Sequence, residues 1–427
     1  MRLPRGLAWI GLIASVACSA KAAGTAPATT IPASGAPAIP LIAPATTVTS
    51  TIPSTTTTTR PAVPGGVVVS VIDHGAVPND DGDDQSAIQR AIDAAPEGAT
   101  VVFPAGTYRH SDVLNVRTKG VTLWGYGATV EATDPMRNAI ILRGDKTTIA
   151  GFTLVDAATV RRSAEEQMAV SVHYTNESVV RDNTIRGASS AGIFVWGASN
   201  YAVLNNTVEN TMSDGIHSVG GANNGLIEAN TLRGVGDDCV AVVSYISERA
   251  MSHNITIRNN SCERGKARGV SVVGGTDVVI EANTIVASGA AGIYLASEPS
   301  YDTYAAKRVK VIANRLVGVN TNAAIRHGAI FIWGRAGSAS TSDGTMYTLQ
   351  NEDLLIKANT IIDTAAGAAD IVAQGSYSYR VNVIANVTSG LRLDHYIELQ
   401  SDQYNLVGEL SNTIAVADHV GNPASLP

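Results

Sequence analysis

From about residue 67 onward, apolar and polar residues alternate in short runs of the form V-x-V/I, and each run closes on an asparagine. A period of two predicts strands with one buried face, not the three-and-four spacing of helices. The runs read RDNTI at Asn183, LNNTV at Asn206, IEANTL at Asn230, IRNNSC at Asn260, IEANTI at Asn283, VIANRL at Asn314, IKANTI at Asn359 and VIANVT at Asn386. Their spacings of 23, 24, 30, 23, 31, 45 and 27 residues describe a unit of about 23 with insertions between some copies. A period in this range means one small unit stacked on its neighbours. Two or three short strands per unit predict an all-β, single-stranded parallel β-helix. The asparagines are read as architecture, since Asn tolerates left-handed backbone and its amides hydrogen-bond along a stack.

Aligning the copies on that asparagine puts other residues in columns. Eight positions on stand Ala191, Asp214, Asp238, Arg268 and Ala291, and Asp237 adjoins Asp238. In the strand that follows, Ile193, Ile216, Val240, Val270 and Ile293 share one parity and should point into the coil. The opposite parity carries Phe194 and Trp196, His217 and Val219, Ala241 and Val243, Ser271 and Val273, then Tyr294 and Ala296; a later copy adds Phe331 and Trp333. The outward face is thus charged in the middle and aromatic at both ends. Parallel strands stack at about 4.8 Å, so a few rungs span two or three sugar residues. Phe194, Trp196, Tyr294, Phe331 and Trp333 are therefore expected to line a groove for a polysaccharide; each alone could equally cover the sheet beneath a loop.

The charged middle comprises Asp214, His217, Asp237, Asp238 and Arg268, with Lys266, Glu263, His253 and His327 as lesser candidates. Close carboxylates shift each other's proton affinity, so that one can serve as acid while another serves as base. Cleavage of a glycosidic bond needs such a pair. A single Asp in this column would be read as a turn cap, but three beside an arginine favour chemistry.

Before the repeat, residues 67 to 95 give a strand, a polar loop and a helix with Asp83 or Asp84 as cap and an apolar stripe at Ala87, Ile88, Ala91, Ile92 and Ala95. VVFPAGTY, residues 101 to 108, follows as a strand with a turn. Earlier still, Arg2 and Arg5 precede the apolar run GLAWIGLIASVA, which is too short to span a bilayer permanently and reads as an export signal over 1–18. Ser15-Val16-Ala17-Cys18 resembles a lipoprotein cleavage box, so Cys18 is either a lipid anchor point or part of a discarded peptide. Residues 19–66, rich in Thr, Pro and Ala, read as an extended tether, and 67–427 as the β-helix domain. A net charge of −7 argues against nucleic acid, which needs a basic surface. The expectation is a monomer, secreted or lipid-anchored outside the cell.

The order strand, polar loop with Asp repeats, short helix, then VVFPAGTY resembles the opening of the pectate-lyase-like superfamily of right-handed parallel β-helices, in which the helix caps the N-terminal end. SDGIH followed by GDDCVAV resembles the NTDGxD and DDC blocks of the polygalacturonases, family 28 of the glycoside hydrolases. The resemblance implies inverting hydrolysis, with Asp214 and Asp237 activating water and Asp238 as general acid. It also implies a disulfide between Cys239 and Cys262, as suits an exported protein. The chain departs from the family elsewhere. Ala267-Arg268-Gly269 stands for Gly-His-Gly, Tyr294-Leu295-Ala296 for the Arg-Ile-Lys that grips a uronate, Met212 for the first-block Asn, and His217 for the Asp after Asp-Gly. The acids are kept and the uronate grip is lost, which points to a neutral or differently charged polymer.

Two other readings stay open. In a lyase or epimerase, Asp214, Asp237 and Asp238 would hold Ca²⁺ and Arg268 would be the base; in the hydrolase reading no cofactor is needed. A carbohydrate-binding surface protein would use the same carboxylates only as hydrogen-bonding groups. The sequence shows no phosphate-binding loop, thiol nucleophile or metal-histidine spacing.

Overall fold

The computed structural model describes residues 61–325, 327–364, 370–375, 378–388, 391–393 and 413–414. The expected export segment, Cys18 and nearly all of the tether lie outside the described residues. Ala62–Pro427 form one compact unit, a parallel β-solenoid of about 11 turns. Among the described residues its strands form three parallel sheets of 13, 11 and 12 strands. A fourth, two-stranded antiparallel hairpin, Ser338–Ser340 with Met346–Thr348, projects from one coil.

Helix α1 (Gln85–Ala94) buries Ala87, Ile88, Ala91 and Ile92, the stripe read from the sequence. It packs on the strands Val68–Ser70 and Leu114–Val116 near the N-terminal end of the coil. Its cap differs from expectation. Asp84 holds the N-cap position, but its carboxylate accepts the N–H groups of Val77 and Arg109, tying the loop at Val77 to the strand Gly106–His110. Asp83 accepts the Gln85 N–H instead.

The second sheet carries the columns of interest in seven strands: β1 (Val170–His173), β2 (Ile193–Trp196), β3 (Ile216–Val219), β4 (Val240–Val243), β5 (Val270–Val273), β6 (Ile293–Ala296) and β7 (Ile330–Gly334). Register is as the alignment required: Ser171, Phe194, His217, Ala241, Ser271, Tyr294 and Phe331 stand in one column. His173, Trp196 and Val219 begin the next. Ile193, Ile216, Val240, Val270, Ile293 and Ile330 point inward and are at most 1% exposed, so the parity reading holds on every rung.

The asparagines form an unbroken ladder in the turn between the first and third sheets. From Asn183 to Asn386, each side-chain Nδ2 donates to the Oδ1 of the next at 2.9–3.0 Å. The backbone N–H of each donates to the same oxygen. The left-handed backbone falls one residue earlier than expected, on Asp182, Asn205, Ala229, Asn259, Ala282, Ala313, Ala358 and Ala385. The preceding residue makes the turn, and the ladder asparagine is freed to bond along the stack. Cys239 and Cys262 are disulfide-bonded, with both sulfurs in the core directly behind Asp238.

Candidate functional site

Asp214, Asp238 and Arg268 sit in the turn that enters the second sheet, on three consecutive rungs. Gly236 lets the chain reach Asp237 across the neighbouring coil, since a Cβ there would lie 2.4 Å from the Met212 carbonyl. One oxygen from each of Asp214, Asp237 and Asp238 lies within 4.8 Å of the others. Asp214 and Asp238 are buried, whereas Asp237 keeps 24% of its side chain exposed.

Each carboxylate has its own partners. Asp214 Oδ2 meets His217 Nδ1 at 2.7 Å, and its Oδ1 accepts the Asp238 N–H. Asp238 Oδ1 accepts the Arg268 N–H at 2.8 Å and Oδ2 the Ser271 hydroxyl at 2.6 Å. Asp237 Oδ2 accepts from the Arg161 guanidinium at 2.6 Å, and the same nitrogen donates to the Ser213 hydroxyl. Arg268 donates to Glu298 at 2.9 Å, lies 3.6 Å from Asp238, and covers the Tyr294 ring at 4.6 Å.

These surroundings separate the proton affinities. Burial pushes the Asp237 carboxyl up, the charges of Asp214 and Asp238 push it further, and it reaches about 7 despite Arg161 and Arg268. Asp214 moves the other way. Burial alone would raise it, but the hydrogen bond and charge of His217, with Arg161, hold it below the usual carboxylate range. Burial alone would lower His217, yet the bond to Asp214 leaves it raised. Burial also disfavours the charged Arg268, but Asp238 and Glu298 outweigh that and hold it above its ordinary value.

The structure therefore brings Asp214, Asp237, Asp238, His217 and Arg268 together, and adds Arg161, Ser271 and Glu298. Arg161 comes from the 157–164 loop, 76 residues before Asp237, outside any column. Glu298 follows β6 in another loop. Both were invisible to the alignment because insertions have no period; the charged run VRRSAEEQ was the only signal. Among the lesser candidates, Glu263 pairs with Arg233 on the third sheet, and His253 lies on a strand of the first with its Nδ1 against the Met251 carbonyl. Lys266 is exposed. His327 stacks on Tyr294 and Phe331. Burial, then Arg268, lowers it to about 3, which removes it from acid–base work near neutrality.

The aromatic groove is corrected in part. Phe194 and Trp196 keep partial exposure, and Phe194 stacks on His217 at 5.3 Å. Tyr294 and Phe331, however, are 0% and 4% exposed, because Arg268, His327 and each other's rings close over them; neither offers a face to a sugar. Trp333 is half-buried and lies beyond them on β7.

The carboxylates fit Ca²⁺ poorly. Both oxygens of Asp214 and of Asp238 already accept hydrogen bonds, and Arg161 and Arg268 place two fixed cations against the set. Nor does Arg268 suit the role of base, since its carboxylate partners hold its proton more firmly than usual.

A parallel solenoid with a carboxylate cluster at one sheet entrance defines the class. The chain belongs to the family described as rhamnogalacturonase A/epimerase, pectate lyase-like, whose profile matches residues 68–294. No curated protein sequence matches it. Among solved structures, the catalytic unit of a family 87 α-1,3-glucanase from Streptomyces thermodiastaticus is similar at 22% identity and TM-score 0.55, over 78% of this chain and 62% of that one. The chain thus spans less than two thirds of that unit. PfbA, a surface adhesin of Streptococcus pneumoniae, is similar at 19% identity and TM-score 0.59, over 77% and 87% of the two chains. The family 28 exopolygalacturonase of Yersinia enterocolitica is similar at 15% and 0.55, over 82% and 77%. These likenesses concern the fold. No helix of the described residues is long and apolar enough to cross a membrane.

Proposed function

We propose that the protein is an exported glycoside hydrolase that cleaves a neutral polysaccharide at the Asp214–Asp237–Asp238 cluster. One observation carries this reading: within a single set of carboxylates whose oxygens lie within 4.8 Å, Asp237 holds its proton to about 7 while Asp214 is kept ionised. Asp237 is then the general acid that protonates the departing glycosidic oxygen. Asp214 is the base that takes a proton from the attacking water through a lone pair its two hydrogen bonds leave, and Asp238, likewise bonded at both oxygens, fixes the turn and the charge around them. These roles differ from those implied by the family blocks, which gave the acid to Asp238 and paired Asp237 with the water. Asp237, protonated to about 7 and part-exposed, is the member placed to donate; Asp214 and Asp238 are both buried and hydrogen-bonded at both oxygens, and of the two it is Asp214 whose ionised form is held by His217 and Arg161.

The charges favour a neutral substrate. With Asp237 protonated, the carboxylates Asp214, Asp238 and Glu298 are met by His217, Arg161 and Arg268, which leaves the cluster near charge balance. A polyuronate would find no excess of positive charge to grip it. The disulfide suits an oxidising compartment, consistent with an export signal at residues 1–18 and either secretion or a lipid at Cys18.

The test is product analysis on a panel of α- and β-glucans, including α-1,3-glucan, beside polygalacturonate. The expected result is new reducing ends from a neutral polymer, unchanged by EDTA and lost in Asp237→Asn. An unsaturated, EDTA-sensitive product would overturn the reading in favour of a lyase. Tight binding without product would make the protein a carbohydrate-binding module, a role compatible with the adhesin among its structural neighbours.

A further inference from the structure

The outward face of the second sheet is open on one side of the carboxylates and shut on the other. On the C-terminal side, Ser271, Tyr294 and Ala296 are 0% exposed, and Val243, Val273 and Phe331 no more than 7%. The cover is built from two excursions fastened to each other: Tyr245 pairs with Thr303, and the Ile246 N–H donates to the Asp302 carbonyl. Arg268 spans from Asp238 to Glu298 and lies across Tyr294, forming the wall that faces the cluster. Arg335 pins the same loop from behind through Ser297, Asp302 and the Thr303 carbonyl.

On the N-terminal side the described residues leave a shelf. Tyr174, 62% exposed and left-handed at φ 50°, lays its ring over Gly197, where a Cβ would fall 2.3 Å from it. Trp196 does the same over Gly220, at 2.1 Å. His173 stands between the two rings, 4.9 Å from Tyr174 and 5.1 Å from Trp196. It is held by Glu165, which also binds Arg143 and Ser171. Phe194 against His217 carries the surface on to Asp214. Flat rings over glycines match the apolar faces of neutral sugars.

From this asymmetry we infer that the enzyme acts from a chain end. Resting on the hydrolase reading above, the inference places two or three sugar units of a neutral glycan along Tyr174, Trp196 and Phe194. The scissile bond lies at Asp237, and the Arg268–Glu298 wall leaves room beyond it only for a short terminal piece. The span from β1 to β4 is three rungs, about 14 Å, which sets that number.

The experiment follows viscosity and product length together on whichever polymer of the panel is cleaved. The expected result is one short product from the first minutes, with viscosity falling slowly relative to reducing ends. A ladder of intermediate lengths with early loss of viscosity would overturn it. A second measurement holds even if no polymer is cleaved: isothermal titration calorimetry of Asp237→Asn with gluco-oligosaccharides of one to six units, α- and β-linked. Affinity should rise to about three units and then level, and should weaken at least fivefold in Tyr174→Ala and in Trp196→Ala. Tyr174 is at the surface, so its variant tests the shelf without risk to the core. Affinity that is indifferent to both substitutions, absent throughout, or still rising at six units would sink the one-sided site, whereas binding of this form without turnover would sink the hydrolase reading alone.

Discussion

Asp237 and Arg161 make the acid of the site adjustable. In the proposed chemistry Asp237 must enter protonated, so the rate should fall as pH rises through about 7. Asp214 must be ionised; held below the ordinary carboxylate range by His217 and Arg161, it puts the acid limb at lower pH than an ordinary aspartate would. Arg161 lowers both groups, so Arg161→Ala should move both limbs of the pH profile to higher pH. A merely structural loss would reduce the rate without moving either limb. Asp237→Asn should lower kcat by about 10²- to 10⁴-fold with binding kept, read by single-turnover product release beside oligosaccharide titration. The Asp column was legible in the sequence because Asp214, Asp238 and Arg268 occupy one periodic position. The division of labour was not, because it depends on Arg161 and on which oxygens Arg268 and Ser271 engage.

At the scale of the coil, the ladder and the turn before it should respond oppositely to substitution. Asn260 is 3% exposed and serves two neighbours; Asn260→Ala takes the acceptor from the Asn230 backbone N–H, leaves Asn283 Oδ1 with only the backbone donor of residue 260, and should cost about 1–3 kcal/mol in denaturant unfolding. Ala282 precedes a ladder position, is exposed and has φ 53°, a conformation that asparagine tolerates and alanine does not favour. Ala282→Asn, which copies Asn205 and Asn259, should therefore raise stability by about 0.5–1 kcal/mol, seen as a higher Tm. The coils were readable because their apolar parity and asparagines repeat. The excursions at 157–164, 245–249 and 298–304 were not, since each occurs once and its burial depends on its partner excursion. Tyr294 and Phe331 were misread for that reason: parity correctly turned them outward, and nothing in their own strands recorded what would cover them.

Across the whole molecule, stability is distributed among neighbouring coils, and the disulfide reinforces one of them. It closes 23 residues of sequence behind Asp238. Cys262→Ser should cost about 3 kcal/mol, measured by denaturant unfolding, with reductant producing the same loss in the wild type and none in the variant. The ladder has a different reach. Each ladder backbone N–H and one side-chain N–H point to the Oδ1 of the coil that follows, while the same amide also reaches back to a carbonyl of the coil before, as from Asn183 to Ile149 and from Asn206 to Val180. Each rung is consequently fastened in both directions, and a ladder asparagine is completed only when the coils before and after it are both in place. Cutting the solenoid between two rungs leaves the forward donors and a strand carbonyl unpaired on the N-terminal fragment, and an Oδ1 and an amide N–H unpaired on the other. The two cut faces are complementary, so fragments ending in such faces would join head to tail, and growth by that rule has no built-in stop.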